Sequence, residues 1–359
     1  MSPSSPMPSG QQNDGRKALW LAVLFILIAA AGLTYIKWWP YYGKAIKAIT
    51  EHTIGSSILT GGQEAIPNPS WQSAWDYAVV YYKAVWKAAV FGILLGSLVQ
   101  VLLPANWLMR VLGQRTFRST VWGGVASLPG MMCSCCAAPI AAGLRKKNVS
   151  VGAALAFWLG NPLLNPATLI FMFFVLGWDF TLLRLAFGLA ITFGVSYLAN
   201  RFAGDASVSE DKLPAEALAP AQADDRPFLV RWGRSLGTML LNVIPAYILA
   251  VLLLGAARAW LFPTLGEGAG TTVLALILFA IAGTLFVIPT AAEIPIVQSF
   301  LSLGYGGAAA GALLVTLPTV SLPSLLMLRR AFPARVLWLV FGSVVASGLL
   351  SGLIGAFLF

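Results

Sequence analysis

Apolar runs of about 20 residues recur along the chain, each long enough to cross the roughly 30 Å hydrocarbon core of a bilayer as a helix. They cover residues 18–36, 78–103, 149–176, 180–199, 236–262, 306–328 and 335–358. Inside lipid a backbone must satisfy its own polar groups, which leaves helices or a closed barrel. The short alternating segments of a barrel are absent from this sequence. Only 10% of the residues are charged, against about 25% in a soluble domain. The expected fold class is therefore all-α, a polytopic helical membrane protein. Its formal net charge is +10, and the basic residues gather at the ends of the apolar runs. There they set orientation and meet anionic head groups. The lipid bilayer is the expected partner and nucleic acid is not.

The rest of the chain divides around these runs. Residues 1–17, rich in Ser, Pro and Gln, read as a disordered tail. Ala18–Ile36 reads as an uncleaved anchor helix, preferred over a signal peptide cut after Ala29-Ala30-Ala31. Residues 37–77 read as an interfacial loop carrying Trp38, Trp39 and the lone histidine, His52, as a solvated residue. Residues 78–202 and 228–359 form two hydrophobic halves, joined by a flexible acidic linker over 203–227.

The halves share an order of motifs. Pro139 precedes Pro162 by the same interval that separates Pro295 from Pro318, and Asn148 and Gly304 fall at matching offsets. Two further apolar segments, 118–144 and 271–303, are each broken near the middle by proline. If both enter and return as re-entrant hairpins, most of the 23 Lys and Arg residues share one side, as orientation in a membrane favours. The halves then enter from opposite sides as inverted repeats. Broken helices meeting near the midplane are how such repeats expose backbone to a substrate. The expected location is the inner cell membrane, crossed many times.

Chemistry concentrates in three places. The chain's three cysteines, Cys133, Cys135 and Cys136, lie between Pro129 and Pro139 beside Met131 and Met132. A lone membrane cysteine is usually an apolar filler, whereas clustered thiols form a soft ligand set for species such as trivalent arsenic or copper(I). An irregular backbone would let Cys133 and Cys135 share an ion, and a regular helix would pair Cys133 with Cys136. Such close spacing argues against a closed structural metal centre. Second, Pro162 with Pro166, and Pro318 with Pro323, each break a spanning helix twice and free backbone carbonyls. Beside Asn161, Asn165, Thr319 and Ser321, these breaks outline a binding cavity rather than simple kinks. Third, Glu293 is an acid deep in an apolar segment, which reads as a proton-coupling site or a structural ion pair.

The stretches Cys133-Ser134-Cys135-Cys136, Gly152-Ala153-Ala154 and Asn161-Pro162-Leu163-Leu164-Asn165-Pro166, with Glu293-Ile294-Pro295 in the second half, resemble the ArsP/YraQ-type predicted permeases over about 78–358. Cys136 and Asn148 stand where that family commonly has glycine. The resemblance implies an integral-membrane permease, with an organoarsenical-efflux branch among its members. It assigns cargo contact to Cys133 and Cys135 and the helix break to Pro162, Asn165 and Pro166. No nucleotide-binding or cofactor motif is present. The expected function is a secondary, proton-coupled efflux permease for a soft metalloid or metal species, not an enzyme. The alternatives are a membrane thiol oxidoreductase using Cys133 and Cys135, a channel-like conductor, and a permease for an unrelated small solute.

Overall fold

A computed structural model describes residues 9–60, 67–203, 227–262 and 273–358. Among them there is no strand. Seven helical stretches are long and apolar enough to cross a membrane: Trp20–Glu51, Trp71–Leu102, Val151–Leu176, Trp178–Phe202, Phe228–Leu261, Gly306–Leu328 and Ala334–Leu358. Each matches one of the expected runs. Large apolar side chains such as Leu241 and Phe357 are exposed on the outside of the bundle, the pattern of a lipid-facing surface. Trp71, Trp178, Trp260 and Trp338 are exposed near span ends, at the level where amphipathic rings favour the head groups.

The N-terminal region departs from expectation. Helix α1, Ser9–Leu33, continues through a π-turn at Thr34–Trp38 into α2, Trp39–Glu51. Residues 9–15 are thus helical, and 37–51 are helix rather than loop. The physical reason lies in how the aromatic and small residues are spaced. Tyr41 and Ala48 lie on one face of α2 and are buried, and Tyr41 packs edge-on against Phe171 at 5.7 Å. His52 ends the helix in a left-handed conformation; its exposed ring makes a hydrogen bond to the Phe174 carbonyl at 2.7 Å. Residues 1–8 of the tail and 204–226 of the linker lie outside the described residues.

Helix α3, Trp71–Leu102, starts where the Ser70 side chain accepts a hydrogen bond from the Ser73 N–H, a standard way to satisfy an orphan donor. Its buried residues recur every three or four positions, through Ala74, Tyr77, Tyr81, Val85 and Ala88, so one stripe faces inward. Gly92 and Gly96 belong to this stripe. A Cβ on them would stand 2.3 Å from the Cys136 carbonyl oxygen and 2.6 Å from that of Pro139. The bare backbone is what allows α3 to lie against the cysteine segment. A short helix, α4 (Ala105–Leu112), follows.

The segment after α4 is a hairpin. It comprises α5, Phe117–Ser127, a tip, and α6, Ser134–Lys146. The arms have 11 and 13 residues, about 16 and 20 Å at 1.5 Å per residue, so neither crosses a bilayer alone. Both lie against α7, Val151–Leu163. The start of α5 meets its beginning, where Ser119 and Ser150 hydroxyls are 3.4 Å apart. The end of α6 returns to the same place, with Arg145 donating to the Val149 carbonyl. The tip lies further along α7, where the Asn161 side-chain oxygen accepts from the Met132 N–H at 3.4 Å. Segment 118–144 therefore enters and returns at one end of the bundle.

Next come α8, Pro166–Leu176, then α9, Trp178–Leu189, and α10, Ser196–Phe202, joined by a π-turn at Ala190–Val195. The second half opens with α11, Phe228–Leu261. A second hairpin follows, formed by α12, Val273–Leu285, and α13, Glu293–Ser302. It packs on α14, Gly306–Thr319. Phe279 of α12 and Phe300 of α13 both meet Tyr305, at 6.0 and 4.8 Å between ring centres, while Gly283 near the tip packs on Thr316. The last elements are α15, Leu322–Leu328, and α16, Ala334–Leu358.

Helix α16 shows how the hairpins relate. At its start Arg335 donates to the Ala203 carbonyl, and Arg145 of the first hairpin's base reaches the Ala331 carbonyl at 3.4 Å. At its other end Gly355 packs on Gly307, the base of the second hairpin. The hairpins thus open toward opposite ends of a 25-residue helix.

Candidate functional site

The tip region of the first hairpin meets the helix break of the second half at Ser321. In that tip, a 3₁₀ turn at Leu128–Gly130 is followed by Met131 in the left-handed region, φ 48°. Cys133 then takes the extended N-cap position of α6, and Trp158 Nε1–H fixes the start of that helix by donating to the Ser134 carbonyl at 2.9 Å. This geometry sorts the thiols. Cys133 Sγ and Cys136 Sγ are 2.9 Å apart, on one face as the helical alternative requires. Cys135 turns away, its sulfur 3.1 Å from the Ser321 hydroxyl. The pairing of Cys133 with Cys135 is therefore not what the backbone produces, because α6 is regular from Ser134 onward. All three thiols are free and buried. Among the described residues, no three Cys, His, Asp or Glu side chains converge on a common point.

Ser321 comes from the other half. It caps α15 together with Ser324, and its hydroxyl is also 3.2 Å from that of Ser134. Asn165 holds the equivalent position in the first half, capping α8 through the N–H groups of Ala167 and Thr168. Asn148 and Gly304, at the same interval, are both left-handed. Tyr81, Tyr82 and Tyr247 form a cluster of phenols in which Tyr81 and Tyr247 share a hydrogen bond at 2.7 Å.

Sequence reasoning missed Arg184. It is completely buried in α9, and its Nη2 lies 3.2 Å from Glu293 Oε1. The same guanidinium donates to Pro162 O at 2.8 Å and Leu163 O at 3.2 Å, and to Leu314 O. The prolines explain this. Pro166 has no N–H for the Pro162 carbonyl, and Pro318 has none for that of Leu314. The Ala167 N–H, which would serve Leu163, turns to Asn165 instead. Three carbonyls freed by two helix breaks thus converge on one cation. The signal was present, because a buried acid needs a cation and Arg184 interrupts a long apolar run. The Glu293 carboxylate also sits in the first turn of α13, where the helix dipole favours negative charge.

Some polar atoms at this junction have no protein partner, namely Glu293 Oε2, Asn165 Nδ2 and Thr168 Oγ1. Thr319, another expected site residue, spends its hydroxyl on the Val315 carbonyl of its own helix. Two surface cavities lie elsewhere. One of about 390 Å³ between α3 and α11 is lined by Tyr82 and Lys83. Another of about 440 Å³ beside α13 is lined by Pro295, Gln298 and Ser299. The sulfur cluster itself is enclosed.

The family profile described as "Predicted permease", ArsP_1, matches residues 70–357. The chain is 54% identical to UPF0718 protein YraQ of Escherichia coli (strain K12), over 93% of its own length and 94% of the relative. It is 23% identical to UPF0718 protein MJ0584 of Methanocaldococcus jannaschii, over 74% and 90% of the two chains. No solved structure gives a significant match. The enclosed junction of broken helices therefore sits within the matched region, and the chain belongs to the ArsP_1 family of predicted permeases.

Proposed function

We propose that this permease is a secondary efflux carrier for a soft, thiol-reactive metalloid or metal species, such as a trivalent organoarsenical, in the inner cell membrane. The observation that carries the reading is the meeting of the first hairpin's tip region with the second half's helix break at Ser321. It sets the Cys133–Cys136 pair, with sulfurs 2.9 Å apart, next to a thiol–hydroxyl contact between the halves at 3.1 Å. Thiols bind soft acceptors and exchange them by substitution. A site built between two halves can open to either side as the halves move.

In this reading the halves are inverted repeats that rock about the tips. Cys133 and Cys136 hold the soft atom, and Cys135, Ser321 and Asn161 line its surroundings. Glu293 is the coupling group. Its protonation would discharge the bond to Arg184 and release the guanidinium, which also holds both helix breaks. Proton binding on one side would thus loosen the junction that cargo must pass. The test is methylarsenite accumulation in everted vesicles with an imposed pH gradient. Transport by wild type, its loss in Cys133→Ser and loss of gradient dependence in Glu293→Gln support the reading. Equal transport by wild type and Cys133→Ser excludes the thiol mechanism.

The close sulfur pair also favours a second reading, a thiol oxidoreductase. Closing a disulfide would need a contraction to about 2.05 Å and the loss of two electrons and two protons to a quinone or disulfide acceptor. Reversible, acceptor-linked loss of both free thiols would distinguish it from transport.

A further inference from the structure

The N-terminal helix lies before residue 70, where the family match begins, yet it touches both hairpin tips. Pro40 cannot donate to the Ile36 carbonyl, and the helical ladder slips by one residue, so that the Trp39 N–H bonds to Thr34 O. Such π-turns are frequent at functional sites. Here two consecutive residues of the turn reach different tips. Trp38 Nε1–H donates to the Pro129 carbonyl of the first tip at 3.0 Å. Lys37 is buried, and its ammonium donates to the Thr290 hydroxyl of the second tip and to the Tyr41 hydroxyl, each at 3.0 Å. Both tip contacts lie within two residues of a left-handed backbone position, Met131 at φ 48° and Ala291 at φ 69°.

The rest of the helix is fitted to the first half. A Cβ on Gly32 would stand 2.1 Å from the Phe91 ring of α3, so the two helices touch closely there. Tyr41 packs on Phe171, and the His52 ring bonds to the Phe174 carbonyl, both in α8. With Trp38 on Pro129, these contacts tie the helix to the first half from Gly32 to His52. Its hydrogen bonds to the second half's hairpin include the one from Lys37 to Thr290 and one from the Gln298 side chain to the His52 carbonyl at 3.4 Å. The latter is long and exposed. The former is short and has a charged donor, which makes it the stronger of the two.

We propose that the N-terminal helix is a strap across the hairpin tips, with Lys37 as its latch. The helix moves with the first half, so the bond from Lys37 to Thr290 breaks when the second half swings away. The same separation parts Cys135 from Ser321, which are 3.1 Å apart across the halves, and opens the buried thiols. Losing Thr290 takes a hydroxyl from a buried ammonium, a costly step away from water, so the latch favours the closed arrangement. Lys37 is a positioning residue. Its role rests on the reading that the halves move against each other, and not on the identity of the cargo.

The test reads opening directly, without transport. Full-length protein in nanodiscs is treated with N-ethylmaleimide, and alkylation of the native thiols is followed by peptide mass spectrometry. Loss of one hydrogen bond to a charged group shifts an opening equilibrium by about tenfold or more. Lys37→Met and Thr290→Val should therefore each speed alkylation by about tenfold, and Lys37→Arg, which keeps a charged donor, should stay near wild type. A cysteine in place of Ser351, buried where α16 packs on Gly311 of α14, serves as a reference away from the latch, and its rate should be the same with and without Thr290→Val. Unchanged alkylation in Thr290→Val overturns the proposal, even if Lys37→Met does not fold. So does equal acceleration at the Ser351→Cys reference, which would make the bond part of general stability. Complete protection of the native thiols in wild type and Thr290→Val alike overturns it too. Failure of methylarsenite transport would leave these results standing, because alkylation reports movement of the halves and not cargo.

Discussion

Replacing Arg184 with Met should be among the most destabilising single changes in the protein. The guanidinium serves four acceptors, the carbonyls of Pro162, Leu163 and Leu314 and the Glu293 carboxylate. Breaking one partner out of a buried ion pair costs about 3–5 kcal/mol, because the other charge stays buried. The three carbonyls are then left without a donor, at about 1–3 kcal/mol each if they find no replacement. Glu293→Gln keeps an acceptor facing Arg184 and removes only the charge, so about 1.5–3 kcal/mol is expected. The two residues touch, so their effects should not add. Arg184→Met with Glu293→Gln should be less destabilised than the sum of the singles by about 1–3 kcal/mol. The assay is reversible unfolding in mixed micelles, with SDS mole fraction as denaturant, applied to all four proteins of the cycle. A coupling energy near zero would sink the account of Arg184 as the charge partner of Glu293. A stability for Arg184→Met equal to wild type would also sink its role as the donor for both helix breaks.

Three further outcomes follow from the packing. Gly96→Leu should cost about 2 kcal/mol or more by forcing a side chain against the Pro139 carbonyl, read as lowered thermal stability in detergent. Asn165→Ala removes the cap of α8 and should cost about 1 kcal/mol, with Asn165→Asp recovering most of it in the same melt. Single cysteines placed at Lys147 and Arg330, in a background lacking the native three, should label from the same membrane face, since Arg145 reaches the Ala331 carbonyl. Labelling from opposite faces would contradict the hairpin.

What could be read from the sequence was whatever is periodic or punctuated. The spanning runs follow from length and hydropathy, and the hairpin breaks from Pro129, Pro289 and their surroundings. The matching roles of Asn148 with Gly304, and of Asn165 with Ser321, follow from equal spacing. What escaped was the partner that each feature requires. Glu293 was legible as a costly acid, but its partner Arg184 lies 109 residues away in sequence, and only folding brings them together. The proline pairs suggested freed carbonyls pointing into a cavity, whereas Arg184 takes up three of them. Lys37 was hidden for a different reason. Its neighbours Trp38 and Trp39 carry the composition of a membrane interface, and nothing in composition records a one-residue slip of the helical ladder. The choice between Cys133–Cys135 and Cys133–Cys136 depended on where α6 begins, which is set by the Trp158 bond to Ser134 rather than by the cysteines.

The most direct test of the central claim, that the sulfur pair at the first hairpin's tip carries a soft cargo, is methylarsenite flux into everted vesicles. Wild type, Cys133→Ser, Cys136→Ser and Cys135→Ser should be compared at matched protein levels. Wild type should accumulate the arsenical, both variants of the close pair should fall to the empty-vector level, and Cys135→Ser should retain partial transport. Accumulation that is unchanged when Cys133 and Cys136 are replaced would contradict the claim, as would a wild type no more active than empty vector across trivalent arsenicals, antimonite and copper(I).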